Sequence, residues 1–405
     1  MAIEIRPARA DEMLDMGRIG AYVYAGSFGD EPNNVIATAN RPEWTLCAFV
    51  DGQMASMFCT IPFTIRVLGN AVPMGGVSSV GTLPEFRRRG LLRSLMTQAM
   101  SDMRDRGQPL ASLWASQAAI YQRYQYAMTT VQRSYTVDTV DIGFYDGDMG
   151  SGDVSRVGIE EGYDIIKPLY IEFIRDRICY LHRSKAIWQF NALEERSEDG
   201  PTQIAVCRDS TGSAVGYLIY TVRSDRTGHS SRTQEMRIRD LVWLTHDSYR
   251  SLWRFIAGHD LVGAVRWQNA PSDDPAPELF MEPRQLHTQD REGLWFRVVD
   301  VAAALAARGY TGSGSIKIGI GDDPLAPWNP GTYQLTASPE GAEVTRVNGT
   351  PDIRLSAKAL ASLYTGFRSA GTLADWGLLQ GDSSSIRLAE RIFATPHAPH
   401  FPDHF

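Results

Sequence analysis

Hydrophobic and polar positions along the 405 residues fall into three successive sections of strand-like and helix-like rhythm. In the first, Ile3-Glu4-Ile5-Arg6 alternates with the period of a half-buried strand, and residues 11–22 shift to helical spacing. Apolar runs at 44–50 and 54–67 flank Asp51-Gly52, a hairpin signature, and predict two antiparallel strands. An apolar strand ends at Pro84, an amphipathic helix is predicted over 91–103, and strands follow at 110–115 and 131–137. The polar, glycine-rich run 147–153 has no periodicity and reads as a linker.

The second section repeats that order. A helix is predicted over 162–175, strands over 202–208, 214–223 and 236–244, and a helix over 248–256, with Asp209-Ser210-Thr211-Gly212 as a hairpin turn. The last section opens with a strand and an alanine-rich helix over 293–308. Strands near 313–320, 331–337 and 342–347 follow, then a strand edge and amphipathic helix over 352–364, and a helix over 387–393. The expected fold is α+β in three domains, 1–150, 151–290 and 291–405.

Composition narrows the function classes. No apolar run approaches the roughly 18–20 residues that span a bilayer, and the N-terminus lacks a basic-then-apolar leader. A cytoplasmic protein without a membrane partner is expected. Cys47, Cys59, Cys179 and Cys207 are far apart with no Cys-x-x-Cys, which argues against disulfides and zinc. A net charge of −7 argues against nucleic acid as a partner and suits a polycationic ligand.

The densest chemistry lies in Pro84-Glu85-Phe86-Arg87-Arg88-Arg89-Gly90, between a predicted strand and a predicted helix. A helix entered straight after Arg-Arg-Arg-Gly aims unpaired N–H groups and its positive dipole end at one spot. Such a spot binds phosphate, and neighbouring guanidinium groups add charge-assisted hydrogen bonds. Gly90, without a Cβ, lets a pyrophosphate approach the backbone. The pattern resembles the acetyl-CoA signature of the GNAT superfamily of N-acetyltransferases, Arg/Gln-x-x-Gly-x-Gly/Ala. Arg87 and Gly90 match it; Leu92 stands where a small residue is usual.

A second segment, Tyr121-Gln122-Arg123-Tyr124-Gln125-Tyr126, resembles the tyrosine turn of those enzymes, with Gln125 in place of a glycine and Tyr126 in place of a phenylalanine. A phenol can protonate a departing CoA thiolate without itself ionising at neutral pH. In the second section the corresponding junction, Trp243-Leu244-Thr245-His246-Asp247, has no Arg-x-x-Gly, and an aspartate there would repel a pyrophosphate. It reads as a degenerate acetyltransferase fold without cofactor binding. The third section is similar to the sterol carrier protein fold.

This three-part order resembles the Eis (enhanced intracellular survival) family of tandem acetyltransferases. The resemblance implies acetyl transfer from acetyl-CoA to primary amines of aminoglycosides, at several positions, and to some lysine side chains. It implies that Val80, Gly81 and Thr82 line the pantetheine arm, their backbone N–H groups facing the thioester oxygen. Arg88, Arg89, Gly90, Leu91, Leu92 and Arg93 would hold the pyrophosphate, with Ser116 and Gln117 on the opposite wall. Tyr121 would be the general acid and the carboxylate of the terminal Phe405 the general base. A homo-oligomer, a hexamer, is implied as well.

The tail His397-Ala398-Pro399-His400-Phe401-Pro402-Asp403-His404-Phe405 carries no flexible run and has Pro399, Phe401 and Pro402 as anchors, which suits docking into a cleft. Its histidines have ligand-like spacing, but Pro399 and Pro402 forbid the helix that would give that spacing a geometry, so no metal is expected. His404 is an alternative base beside the carboxylate. Asp30, Glu31 and Asp403 are candidate anchors for a polycation, and Trp44 and Phe28 candidate walls of its cleft. Two other functions compete: a lysine acetyltransferase acting on proteins or peptides, and a carrier of lipid or apolar ligands with a vestigial acetyltransferase part.

Overall fold

The computed structural model of the chain describes residues 2–26, 41–225 and 231–405, so Phe28, Asp30 and Glu31 lie outside the described residues. Two compact units are formed. One takes residues up to 129, 294–395 and Phe405; the other takes 130–293 and 396–404.

The first unit begins with β1 (Ile3–Arg6), α1 (Met13–Val23), β2 (Cys47–Val50), β3 (Gln53–Val67) and β4 (Asn70–Thr82). Asp51 and Gly52 take φ of 48° and 85°, and Leu68 and Gly69 repeat this with 48° and 88°. Two consecutive positive φ values make the tight turns that pair β2 with β3 and β3 with β4 antiparallel. α2 (Leu91–Asp105) then crosses over to β5 (Leu110–Leu113), which lies parallel to β4. α2 buries Leu91, Leu95, Met96, Ala99, Met100 and Met103, the spacing of one helical face, against a core that includes Phe58, Ala111 and Leu113. α3 (Ala118–Gln122) and β6 (Ala127–Met128) complete this stretch.

The second unit holds β7 (Val131–Val137), β8 (Asp153–Val157), α4 (Ile159–Phe173), β9 (Ile178–Leu181), α5 (Lys185–Phe190), β10 (Thr202–Arg208), β11 (Ala214–Ser224), β12 (Gln234–Trp243), α6 (His246–Ala257), β13 (Val262–Ala270) and β14 (Gln289–Glu292). Its sheet runs β14-β7-β13-β12-β11-β10-β8, and β12 and β13 are parallel across α6. α4 and α5 pack on one face through Ile166, Leu169, Tyr170 and Trp188, and α6 on the other through Tyr249, Leu252, Trp253 and Ile256.

Back in the first unit come β15 (Trp295–Val298), α7 (Val301–Ala307), β16 (Gly314–Ile320), β17 (Gly331–Ser338), β18 (Gly341–Val347), β19 (Ile353–Leu355), α8 (Ala357–Tyr364), α9 (Ala370–Asp375), β20 (Leu379–Gly381) and α10 (Ser383–Phe393). Their five-stranded sheet has the order β18-β17-β16-β19-β20. Fully buried Arg308 donates to the carbonyls of Tyr364 at 2.8 Å and Phe393 at 3.0 Å, joining the ends of α7, α8 and α10.

Three placements differ from the sequence reading. β7, read as the last strand of the first section, pairs with β13 and β14 in the second unit's sheet. β15, read as the opening of the last section, sits between β5 and β6 in the first sheet, with Trp295 opposite both Leu113 and Met128. Residues 147–153, read as a linker, are bonded to α6: Arg250 reaches Asp146 and the Asp148 carbonyl, and Arg254 the carbonyls of Gly150 and Gly152. Local periodicity reports a strand but not its partner.

Candidate active site

α2 begins at Gly90, whose φ of 83° is left-handed, and no side chain caps its first turn. That turn contains no acidic residue, and a Cβ built on Gly90 would meet nothing within 4 Å. Open N–H groups, a dipole end and empty space therefore coincide. Arg88, two residues before, also takes a positive φ, 62°. Arg87 and Arg89 are bonded to their own loop, Nε to the Thr82 carbonyl at 2.9 Å and a terminal nitrogen to the Glu85 carbonyl at 2.7 Å. Arg88 and Arg93 are exposed and form no hydrogen bond or ion pair with the described residues. Leu92 packs against the core beneath α2, which accounts for an apolar residue where the motif usually has a small one. The donor set fits a diphosphate.

The β4–β5 ladder that α2 connects runs only from Met74–Gly76 against Leu110–Ser112. Beyond it the two strands part. On its other edge β4 carries a bulge: Ser79 takes a φ of 52°, and Ser79 and Val80 together face Phe58. The bulge re-aims Val80, Gly81 and Thr82 where the strands diverge. The Val80 carbonyl accepts a hydrogen bond from the Tyr24 hydroxyl at 2.7 Å. Tyr24, at the end of α1, belongs to no motif and was not singled out from sequence. Burial pushes its phenol up to about 12, and a second, smaller rise comes from the nearby Tyr121.

Tyr121 lies on α3 and is 4% exposed. Desolvation raises its phenol, and the Ser116 hydroxyl, hydrogen-bonded to it, pulls the other way. Gln117 is the N-cap residue of α3 and is exposed. The end of α3 is a Schellman turn: Tyr126 N–H donates to the Tyr121 carbonyl at 3.2 Å, and Gln125 N–H to the Gln122 carbonyl at 3.1 Å. The Tyr121 and Tyr126 rings meet edge to face at 6.1 Å, the apolar contact that accompanies such a turn. Gln125 occupies its left-handed position with φ of 64°. A side chain there costs roughly 1–2 kcal/mol relative to glycine. Its Oε1 accepts the backbone N–H of Lys358 at 3.3 Å, and the Lys358 Nζ donates to Gln122 Oε1 at 2.8 Å.

The Phe405 ring stands edge-on to Phe63 with centroids 4.9 Å apart. Both rings lie against Gly76, the last β4 residue of the ladder, where an added Cβ would come within 2.9 Å of Phe405 Cε2. The last residue is thus seated at the apex from which the strands part. The preceding tail belongs to the second unit. Asp403, fully buried, binds Arg183 Nε at 2.9 Å, and Arg183 also binds Asp240 at 2.5 Å. Asn191 holds both backbone groups of His404, and Asn269 the Pro402 carbonyl. Burial lowers the His404 imidazole and takes buried His400 down to about 3. His397 lies against Asp273 at 3.3 Å. Asp403, a candidate polycation anchor, is occupied by Arg183. Trp44 packs against the core behind α1 and has Arg41 over its ring.

α6 starts differently. Thr245 and Ser248 form a reciprocal capping box, and Asp247 accepts the N–H groups of Ser151 and Gly152 at 2.8 and 3.0 Å. This helix start is closed by its own chain.

An acetyltransferase (GNAT) domain model matches residues 4–129, a second acetyltransferase (GNAT) domain model matches 179–298, and a sterol carrier protein domain model matches 301–402. An uncharacterized N-acetyltransferase of Streptomyces avermitilis is 30% identical over 375 residues, 90% of this chain and 89% of that protein. N-acetyltransferase Eis of Mycobacterium tuberculosis is 29% identical over 354 residues, 85% and 84% of the two chains. A GCN5-related N-acetyltransferase from Anabaena variabilis superposes over the whole of both chains with a TM-score of 0.87 and 25% identity. Eis1 from Mycobacterium abscessus does so with 0.83 and 26% over 99% of this chain and 100% of that one. GNAT domains imply acetyl-CoA as donor and an amine as acceptor. With two acetyltransferase folds followed by a sterol carrier domain in an α+β chain, the protein belongs to the Eis family of GNAT N-acetyltransferases.

Proposed function

We propose that the chain transfers the acetyl group of acetyl-CoA to primary amines of aminoglycosides by direct attack. The observation that carries the reading is the juxtaposition, in one unit, of the uncapped α2 start with the Tyr24–Val80–Tyr121 cluster where β4 leaves β5. Arg88, Arg93 and the N–H groups of Gly90, Leu91 and Leu92 would bind the diphosphate, with Arg89 beside them. Val80, Gly81 and Thr82 would run along the pantetheine arm, and Ser116 and Gln117 along the facing wall. Backbone N–H groups of the bulged strand would donate to the thioester oxygen as it gains charge. The acceptor nitrogen forms its bond to the acyl carbon as the carbon–sulfur bond breaks. Tyr121 gives its proton to the leaving sulfur, and the Phe405 carboxylate takes the proton from the nitrogen.

A terminal carboxylate is a weak base, ordinarily near 3.5. It also attracts ammonium groups, and with the net charge of −7 this favours a polycationic acceptor. Acetyl-CoA consumption across aminoglycosides, polyamines and lysine peptides tests the assignment. Turnover fastest on aminoglycosides supports it; turnover confined to peptides replaces it with a lysine acetyltransferase. Micromolar acetyl-CoA binding by calorimetry separates either enzyme from an apolar-ligand carrier. Deleting Phe405 lowers turnover; unchanged rates remove the terminus from the chemistry.

A further inference from the structure

The tyrosine turn is tied to the sterol carrier domain through residues that the family motif does not include. α8 starts with Ser356 as its N-cap, and the Ser356 hydroxyl accepts the Ala359 N–H at 3.1 Å. The Lys358 N–H, another of the first-turn donors that a helix cannot satisfy itself, goes to Gln125 Oε1 at 3.3 Å. The Lys358 side chain returns to Gln122 Oε1 at 2.8 Å. Two side chains of the turn thus hold one residue of α8 by its backbone and by its ammonium group. Gln122 and Gln125 stand on the same turn as Tyr121, whose carbonyl accepts the Tyr126 N–H that closes it. Gln125 keeps its left-handed backbone, φ 64°, where glycine would be relaxed. A strained residue persists when its surroundings over-determine it, and the amide bonded to α8 supplies that constraint.

We infer that Lys358, Gln122 and Gln125 are positioning residues through which the start of α8 sets the orientation of the Tyr121 hydroxyl. The sterol carrier domain, beyond its own fold, acts as a clamp on the proton donor. The inference rests on Tyr121 being the general acid. A displaced phenol loses alignment with the leaving sulfur while the diphosphate cradle of α2 stays intact. Turnover should therefore fall without a matching loss of acetyl-CoA binding.

The test uses the full chain and four variants with Tyr121→Phe as reference, each assayed at saturating amine and varied acetyl-CoA. Lys358→Met keeps the stem and removes the ammonium donor; Gln125→Ala removes the acceptor of the α8 N–H. Each should lower kcat roughly tenfold, since small misplacements of a reacting group carry large rate costs. KM for acetyl-CoA should stay within about twofold, as expected when only an interaction of the transition state is lost. The alkaline limb of the pH–kcat profile should move to lower pH as the phenol becomes more solvated. Lys358→Arg should restore most of the rate. Gln125→Gly relieves the backbone strain while still cutting the tie, so a slow but well-folded Gln125→Gly variant separates positioning from stability. Wild-type kcat and an unmoved pH profile in Lys358→Met and Gln125→Gly overturn the inference, as does a rate loss that only parallels the folded fraction. If Tyr121→Phe is impaired and those two are not, the clamp alone fails. If Tyr121→Phe turns over normally, the general-acid assignment fails first.

Discussion

α2 and α6 occupy equivalent places in two sheets, each crossing from one strand to a parallel neighbour, and they differ in how the first turn is finished. α2 starts at a left-handed glycine with no cap, no acid and exposed arginines around it. α6 starts at Thr245, capped reciprocally by Ser248, with Asp247 turned onto the N–H groups of Ser151 and Gly152. Elementary helix chemistry says that the free donors of a first turn must go somewhere. In α6 the chain itself takes one of them, the Ser248 N–H, onto the Thr245 hydroxyl. In α2 no side-chain cap takes them, and the stability a cap would add is forgone. The same architecture thus has one open end and one sealed end, and only the open end suits the diphosphate site proposed above.

The widest gap between the two folds should appear in catalysis. Tyr121→Phe is expected to cut kcat by roughly 10²–10⁴-fold, the usual worth of a general acid, with calorimetric acetyl-CoA affinity nearly unchanged. Equal loss of rate and binding would make Tyr121 a structural residue. Next in size is the open helix start itself. Arg88→Ala with Arg93→Ala should weaken acetyl-CoA binding by ~10- to 100-fold, because bonds to charged groups are the strong ones. Unchanged affinity would break the comparison, since the exposed arginines would then be ordinary surface. On the sealed side, Thr245→Ala should cost the second unit about 1 kcal/mol in chemical denaturation and leave acetyl-CoA affinity untouched. A drop in affinity would show that α6 shares in cofactor binding.

The smallest effect is one of pH within the second unit. Asp274 is buried, accepts from the Tyr249 hydroxyl at 3.0 Å, and burial pushes its carboxyl up to about 7. The folded state keeps a proton that the unfolded chain releases near its ordinary 3.8. That stabilisation is full below about 3.8 and is lost as pH rises towards 7. Asp274→Asn removes the dependence, so its unfolding midpoint should gain on the parent between pH 5 and pH 8. A constant difference across that range would count against a protonated Asp274.

Much of the first helix start could be read in the sequence, because Arg-Arg-Arg-Gly before an amphipathic run is a local signal with a local cause. The Tyr121 turn was legible for the same reason, and so was the missing glycine motif before α6. Tyr24 was not: it stands in Tyr22-Val23-Tyr24 at a helix end, and only the fold brings its hydroxyl to the Val80 carbonyl. Lys358 was invisible for a related reason, lying 233 positions from the amide that its N–H binds. Gln125 stood out as a departure from glycine, but its sequence could not say what holds it. Strands β7 and β15 were found as strands and placed in the wrong sheets, since pairing is decided by partners far along the chain, Val137 with Val265 and Leu113 with Trp295.

The position of β15 bears on how this protein is made. The sheet that carries the bulge and the Tyr121 turn keeps a vacancy between β5 and β6 until residues 295–298 arrive. On the ribosome, the N-terminal acetyltransferase region must wait through the synthesis of an entire intervening fold before its own sheet can close. Such long-range closure is slow and leaves edges exposed in the interim, so a nascent chain halted at residue 150 would invite chaperones rather than bind substrate.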